Sequence, residues 1–462
     1  MENVCKVHVL VVPFPAQGHI NPLLQFSKRL VSKGIKVTLA INLFTAKSMQ
    51  AAETGSVEIE SFSDGCDEGG MAKAESVDAH LQSFKTVGGE NLTKLIEKRK
   101  SSEYPFKCVI HDSIIPWVLD ITKEAGLVAA PFYTQCCSVN VIYYQAYHGL
   151  LSTVQGPTAS VPGMPVLETR DLPSFFSNSE AYPSMLQLLL DQFSNIDQAD
   201  WLLFNTFDKL ENEVMNWILG QWSTRTIAVG PTIPSKYLDN RVEGDNDYSL
   251  NLFKPDRHTC IDWLNTKKTG TVVYVSFGSL ASLGEEQMEE ISWGLRNSNK
   301  YFLWVVRGTE EHKLPSDFRD EFTSTSSSLP DKGLMVKWCP QLEVLAHPSV
   351  GCFITHCGWN STIEGLSLGV PMVGVPQWSD QTTDAKLMED VWRVGLRGKV
   401  DEKGVIRREE IEDCIREVTE GERGKEMRRN AENWKVLAKQ AVDEGGSSDK
   451  NIQDFVNSLV YN

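Results

Sequence analysis

Apolar runs of strand length alternate with helical patterns along almost the whole of this chain. Two parallel strands can be joined only by a long crossover, which a helix supplies, so the alternation predicts parallel α/β sheets. It occurs as two series. In the first, Val7–Val12 reads as a strand, PFPAQGHINP as a turn, Leu23–Ser32 as a helix and residues 34–40 as the next strand, with further strands near 107–111, 129–132 and 201–205. The second starts at Cys260, with strands near 271–277, 301–306, 334–337, 352–355 and 372–375 and helices near 285–296, 409–420 and 424–443. Residues 232–258 are polar, acidic and aperiodic and read as a linker. The expected organisation is a Rossmann-like domain at 1–231, this linker, and a second Rossmann-like domain at 259–443.

The 462 residues carry a formal net charge of −16. An acidic chain is a poor partner for nucleic acid or an anionic membrane. No apolar run approaches the roughly 18 residues of a membrane span, and VHVLVVPFP is too short for a secretory leader. The ten cysteines are scattered, with no C-x-x-C, as expected of reduced thiols in the cytoplasm. Cys352, His356 and Cys357 lie close together, but no second ligand pair at zinc spacing follows, so no metal site is expected. Neither G-x-G-x-x-G nor G-x-x-x-x-G-K-[ST] occurs, which counts against a nicotinamide oxidoreductase or a P-loop enzyme. Asp245-Asn246-Asp247 spells the D-x-D of some metal-nucleotide sites, but lies in the acidic linker and reads as solvated loop.

The segment Trp338–Gln381 carries the chemistry. A strand ends at His356, Gly358 permits a tight turn, and a helix is expected to start near Asn360. Ligands of open α/β sheets bind at the carboxyl ends of strands, and helix starts attract phosphate through their N–H groups. His356, Asn360 and Ser361 are then placed for a diphosphate. Ser361-x-x-Glu364 also fits a capping box, and Asp380 and Ser279 also fit helix caps. Trp338, exposed by the turn at Pro340, offers an indole face on which a base can stack. Asp380 and Gln381 together supply an acceptor and a donor, suited to vicinal hydroxyls. In the first half, His19 follows the first strand in its turn and Asp112 follows another. A carboxylate beside an imidazole fixes its tautomer and leaves a base. His111 points to the opposite face of its strand.

The 44-residue stretch Trp338–Gln381, with HCGWNS, Glu364 and the final Asp-Gln, resembles the plant secondary-product signature of family 1 UDP-glycosyltransferases. PFPAQGHINP, HDSIIPW and VVYVSFGS match other motifs of that family, and the whole chain is most similar to its plant subfamily 74. The resemblance implies a GT-B fold, two Rossmann-like domains facing a cleft, with residues 444–462 forming a helix that returns to the first domain. It implies transfer of glucose from UDP-glucose, with inversion, to a hydroxyl or carboxyl group of a small hydrophobic plant metabolite. His19 would be the base and Asp112 its orienter. Ser279, His356, Gly358, Asn360 and Ser361 would hold the diphosphate, Trp338 and the Cys339 backbone the uracil, and Gln341 and Glu364 the ribose. Thr134, Trp359, Asp380 and Gln381 would grip the sugar, with glutamine at 381 favouring glucose over galactose. Phe14, Gln17 and the stretches 132–148 and 175–200 would line the acceptor pocket. UDP-glucose would be a co-substrate, with no cofactor or metal, and the enzyme a cytoplasmic monomer. A non-catalytic nucleotide-sugar-binding protein is the alternative, but it would not need the His19–Asp112 pair.

Overall fold

The computed structural model describes residues 7–48, 55–151, 158–177, 180, 182–248, 253–322 and 331–461. Its strands are β1 (His8–Val12), β2 (Lys36–Asn42), β3 (Glu58–Phe62), β4 (Phe106–Asp112), β5 (Val128–Tyr133), the short pair β6 (Thr158–Ala159) and β7 (Leu167–Glu168), β8 (Trp201–Phe204) and β9 (Arg225–Ala228). They continue with β10 (Val272–Ser276), β11 (Tyr301–Val305), β12 (Gly333–Val336), β13 (Val350–Thr355), β14 (Met372–Gly374) and β15 (Gly395–Arg397). The chain forms two compact units. Met1–Thr169, Phe175–Leu252 and Lys439–Asn462 make up the first; Arg170–Ser174 and Phe253–Ala438 make up the second.

The first unit is built on a parallel seven-stranded sheet in the order β3-β2-β1-β4-β5-β8-β9. β1 reads HVLVV and is buried at every position, because a strand at the centre of a parallel sheet is covered on both faces. His8 is tolerated there because both ring nitrogens are satisfied, by Thr38 Oγ1 at 2.8 Å and the Tyr104 carbonyl at 2.9 Å. Helix Ser447–Tyr461 buries Ile452, Phe455, Val456 and Leu459, spaced as one apolar stripe, in this unit's core. Phe455 meets Trp201 edge-on, with ring centroids 5.5 Å apart.

Two expectations in this unit are corrected. The first helix is Gln17–Ser32, beginning six residues before the apolar pattern indicates, and it runs through Pro22. Proline is a usual stop signal; Pro22, at the sixth position, lacks the N–H of one helix bond, yet the helix runs on past it. His19 is therefore in the first turn of a helix rather than in a turn before it. Asp245 is 5 % exposed and not solvated: its carboxylate accepts from Lys28 Nζ at 2.8 Å and from the Ser235 backbone N–H at 2.7 Å. The D-x-D is a structural anchor. Ile233 and Leu238 of the same acidic stretch are buried against Val442.

The second unit holds a parallel six-stranded sheet in the order β12-β11-β10-β13-β14-β15. Val273, Val275, Trp304, Ile354 and Val373 lie in its core with Ile411, Ile415 and Val418 of helix Arg408–Glu420. Each sheet reverses its strand order at one place: between β1 and β4 in the first, between β10 and β13 in the second. Such switch points open a crevice at the carboxyl ends of the strands.

Candidate active site

At the switch point of the first unit, Asp112 is the last residue of β4 and is fully buried. Its Oδ2 lies 2.7 Å from His19 Nδ1, and its Oδ1 accepts the Ile114 N–H at 3.3 Å. His19 remains partly exposed, with 23 % of its side chain accessible. Phe14 stands edge-on to the imidazole, centroids 5.3 Å apart, and Gln17 is buried in the same helical turn. Thr134, expected at the sugar, has its Oγ1 3.1 Å from His19 Nδ1, so it also braces the ring. His111 is buried, its Nδ1 2.8 Å from the Asp112 carbonyl, and burial lowers its pKa to about 4.

At the switch point of the second unit, His356 follows β13 and Ser279 follows β10. The His356 ring lies between two glycines. A Cβ on Gly278 would stand 2.8 Å from Nε2, and one on Gly358 would stand 2.7 Å away. Gly358 itself has an ordinary φ of −60°, and Cys357 takes the left-handed conformation at φ 64°. The glycine is required by the imidazole beside it and not, as expected, by the turn. Nδ1 is enclosed without a hydrogen-bond partner, and burial, aided by the nearby Arg307 cation, lowers the pKa to about 4. Burial therefore leaves His356 neutral at neutral pH, able to hydrogen-bond but carrying no charge.

Helix Trp359–Leu368 begins with Gly358 at its cap, one residue before the expected start. Ser361 and Glu364 thus fall inside the helix and form no capping box. Instead both accept from Gln341 Nε2, Glu364 Oε2 at 2.6 Å and Ser361 Oγ at 3.2 Å. The Gln341 carbonyl accepts from the buried Tyr274 hydroxyl at 2.9 Å. That hydroxyl also lies 3.2 Å from Cys339 Sγ. Asn360 lies in the helix's first turn, and the Trp359 indole is buried against Trp392, centroids 5.8 Å apart. Trp338 is half-buried, its indole 4.9 Å from the Phe253 ring.

Asp380 immediately precedes helix Gln381–Asp390 but makes no side-chain cap bond. Gln381 Oε1 accepts the backbone N–H groups of Gln377 at 2.9 Å and Trp378 at 3.1 Å. Its carbonyl thus holds the turn, and its NH₂ is the group left to donate. Ser279 is likewise no cap, since helix Glu285–Asn297 starts from Gly284. The sequence reading missed Arg307, which donates from its guanidinium to the carbonyls of Ser279 and Ala281 and so fixes the loop after β10. A lone arginine beyond a strand carries no motif to reveal it. Among the described residues, no three His, Cys, Asp or Glu side chains form a metal-binding group, and no disulfide joins the described cysteines.

Two parallel-sheet units, one with a carboxylate-oriented imidazole at its switch point and one with a neutral histidine and a helix start at its own, define a GT-B glycosyltransferase. Comparison with known proteins agrees. Residues 232–430 match the family model for UDP-glucuronosyl and UDP-glucosyl transferases, and residues 5–57 match that of a glycosyltransferase N-terminal domain. The chain is 50 % identical over 457 residues to mogroside I-E synthase of Siraitia grosvenorii, covering 98 % of each. It is 46 % identical over 459 residues to a flavonol 7-O-beta-glucosyltransferase of Arabidopsis thaliana, again covering 98 % of each. The crystal structure of Os79 from O. sativa in complex with UDP superposes with a TM-score of 0.90 at 36 % identity, over 98 % of this chain and 100 % of that one. The chain belongs to the UDP-glycosyltransferase family.

Proposed function

We propose that this enzyme transfers glucose from UDP-glucose to a hydroxyl or carboxyl oxygen of a small hydrophobic acceptor, with inversion at the anomeric carbon. The observation that carries this reading is the 2.7 Å bond between His19 Nδ1 and the buried Asp112 carboxylate. With the Nδ1 proton given to Asp112, the basic lone pair of the ring is on Nε2. Nε2 takes the acceptor's proton. The acceptor oxygen bonds to C1 of glucose from the face opposite the nucleotide, and the bond from C1 to the β-phosphate oxygen breaks, its electron pair leaving with UDP. A neutral His356 donates a hydrogen bond to the diphosphate, while Ser279, Ser361 and the first-turn N–H groups at Gly358 to Asn360 meet its growing charge.

Trp338 stacks on the uracil beside the Cys339 backbone. Gln341 and Glu364, already joined to each other, take the ribose. Asp380, Gln381, Trp359 and Thr134 hold the sugar; Phe14 and Gln17 border the acceptor. The aromatic cluster of Tyr144, Phe193 and Trp222 in the first unit suits an apolar aglycone, and the flavonol in the name of one relative is of this chemical kind. No divalent metal takes part, because Asp245 is engaged with Lys28 and the diphosphate is met by the helix start. The enzyme works as a monomer in the cytoplasm. Incubation with UDP-glucose and a panel of phenols, alcohols and carboxylic acids, read by mass spectrometry, should give products heavier by one hexose. UDP binding with no transfer to any member would instead favour the non-catalytic reading.

A further inference from the structure

Five residues of the first half of the chain, Arg170–Ser174, belong to the second unit, while Thr169 and Phe175 on either side belong to the first. Hydrogen bonds of Asp171, Leu172 and Ser174 converge on one place. Ser174 N–H donates to the Ser379 carbonyl at 2.9 Å, and Ser379 N–H donates back to Ser174 Oγ at 2.7 Å. Thr382 Oγ1 donates to the Leu172 carbonyl and Thr383 Oγ1 to the Asp171 carbonyl, both at 2.7 Å. Asp171 is 2 % exposed; Arg397 Nη1 reaches its Oδ1 at 2.6 Å, and Lys386 Nζ lies 3.7 Å from Oδ2. Arg397 ends β15, the neighbour of β14, from which the chain continues into the 375–380 turn.

That turn holds the candidate sugar-binding pair. Ser379 has a left-handed backbone, φ 61°, unfavourable for a residue with a side chain. Such a conformation persists only where its surroundings over-determine it. Two sets of bonds do so here. Gln381 Oε1 ties down the Gln377 and Trp378 N–H groups from within the turn, and Ser174 closes on Ser379 from outside it.

We infer that Ser174 and Asp171 are positioning residues for donor selection: the 170–174 segment holds the 377–381 turn so that Asp380 and Gln381 meet the hexose in one arrangement. This rests on the assignment of Asp380 and Gln381 to the sugar. The segment acts on the hexose alone, since UDP without its sugar makes no use of that turn. Loosening it lowers discrimination between hexoses that differ in the orientation of one hydroxyl, and leaves nucleotide recognition as it was.

The test compares wild type with Ser174→Ala, Ser174→Thr, Asp171→Asn and Gln381→Ala. Each is measured for the kcat/KM ratio between UDP-glucose and UDP-galactose and, by calorimetry, for UDP affinity. Losing one hydrogen bond should reduce the glucose preference about 3- to 10-fold in Ser174→Ala, with UDP affinity unchanged. Ser174→Thr keeps the hydroxyl and should restore the preference. Asp171→Asn leaves Arg397 without its anion and should act in the same direction. If Gln381→Ala lowers the preference while Ser174→Ala and Asp171→Asn do not, the positioning role is overturned and the sugar assignment stands. If Gln381→Ala leaves the preference intact, the sugar assignment fails and this inference with it. Loss of UDP affinity in step with rate in Ser174→Ala would make the segment a plain stabiliser and also overturn the proposal.

Discussion

A methyl group at position 358 would stand 2.7 Å from His356 Nε2, and one at position 278 would stand 2.8 Å from the same atom. Gly358→Ala must therefore turn or displace the imidazole. Real Cβ atoms do not approach so closely, so something must shift, and the nearest atoms belong to the His356 ring. The expected outcome is a loss of UDP affinity of about tenfold or more, the scale of one hydrogen bond to a charged group, with the fold intact by circular dichroism. Affinity equal to wild type would mean that His356 does not touch the diphosphate. His19 predicts the opposite pattern. His19→Ala should slow transfer to an aliphatic alcohol by about 10²–10⁴-fold, the usual worth of a general base, and leave UDP affinity alone, because His19 belongs to the first unit and the nucleotide residues to the second. Acidic phenols and carboxylic acids, partly ionised already, should suffer less. Parallel rate and titration measurements separate the two variants. Both roles could be framed from sequence because the motif residues sit beside strand ends. The neutrality of His356 and the reason for Gly358 could not: the first depends on burial and on Arg307, distant in the chain, and the second on where the His356 ring lies in space.

Among the elements, the strands were the most legible, because buried parallel strands are near-continuous apolar runs: β1, β4, β5, β10, β11 and β13 each lie within a residue or two of the position their runs indicated. Helix starts were less so. Pro22 hid the first turn of helix 17–32, and Ser361-x-x-Glu364 imitated a cap inside helix 359–368. The 170–174 segment left no trace, since its bonds run largely through backbone carbonyls and hydroxyls, which leave no apolar periodicity in the sequence. The amphipathic stripe of helix 447–461 is the element with the plainest energetic consequence. Phe455 is fully buried between Trp201 and Phe26. Phe455→Ala should destabilise the first unit by about 3–5 kcal/mol, the cost of a large cavity in a core, read as a lower urea midpoint with UDP binding retained below the transition. A shift under about 0.5 kcal/mol would mean that the helix is peripheral.

For the molecule as a whole, acidity and metal removal act on separate features. His111 in the first unit and His356 in the second are held neutral by burial, each with a pKa of about 4. Unfolded, each takes a proton near pH 6.5. The unfolded chain thus binds more protons between these values, and stability falls as pH drops from about 6.5 toward 4. His111→Asn keeps a donor for the Asp112 carbonyl and removes the titration, so its plot of unfolding free energy against pH should be less steep over that interval. An unchanged slope would place the acid sensitivity elsewhere. Chelation should leave most of the transfer rate intact, since the D-x-D carboxylate of Asp245 is bonded to Lys28 and Ser235; a loss that magnesium or manganese restores would refute this.

The membership of Lys439–Asn462 in the first unit also sets the order in which this protein can be completed. A ribosome makes the chain from its amino end. The first sheet is finished some two hundred residues before helix 447–461 emerges, and until then the apolar surface that Ile452, Phe455, Val456 and Leu459 cover has nothing on it. Nascent chains with such surfaces are sticky. The half of the enzyme that is translated first is thus the half that must wait longest. A nascent chain halted anywhere in the second unit should hold chaperones on the first.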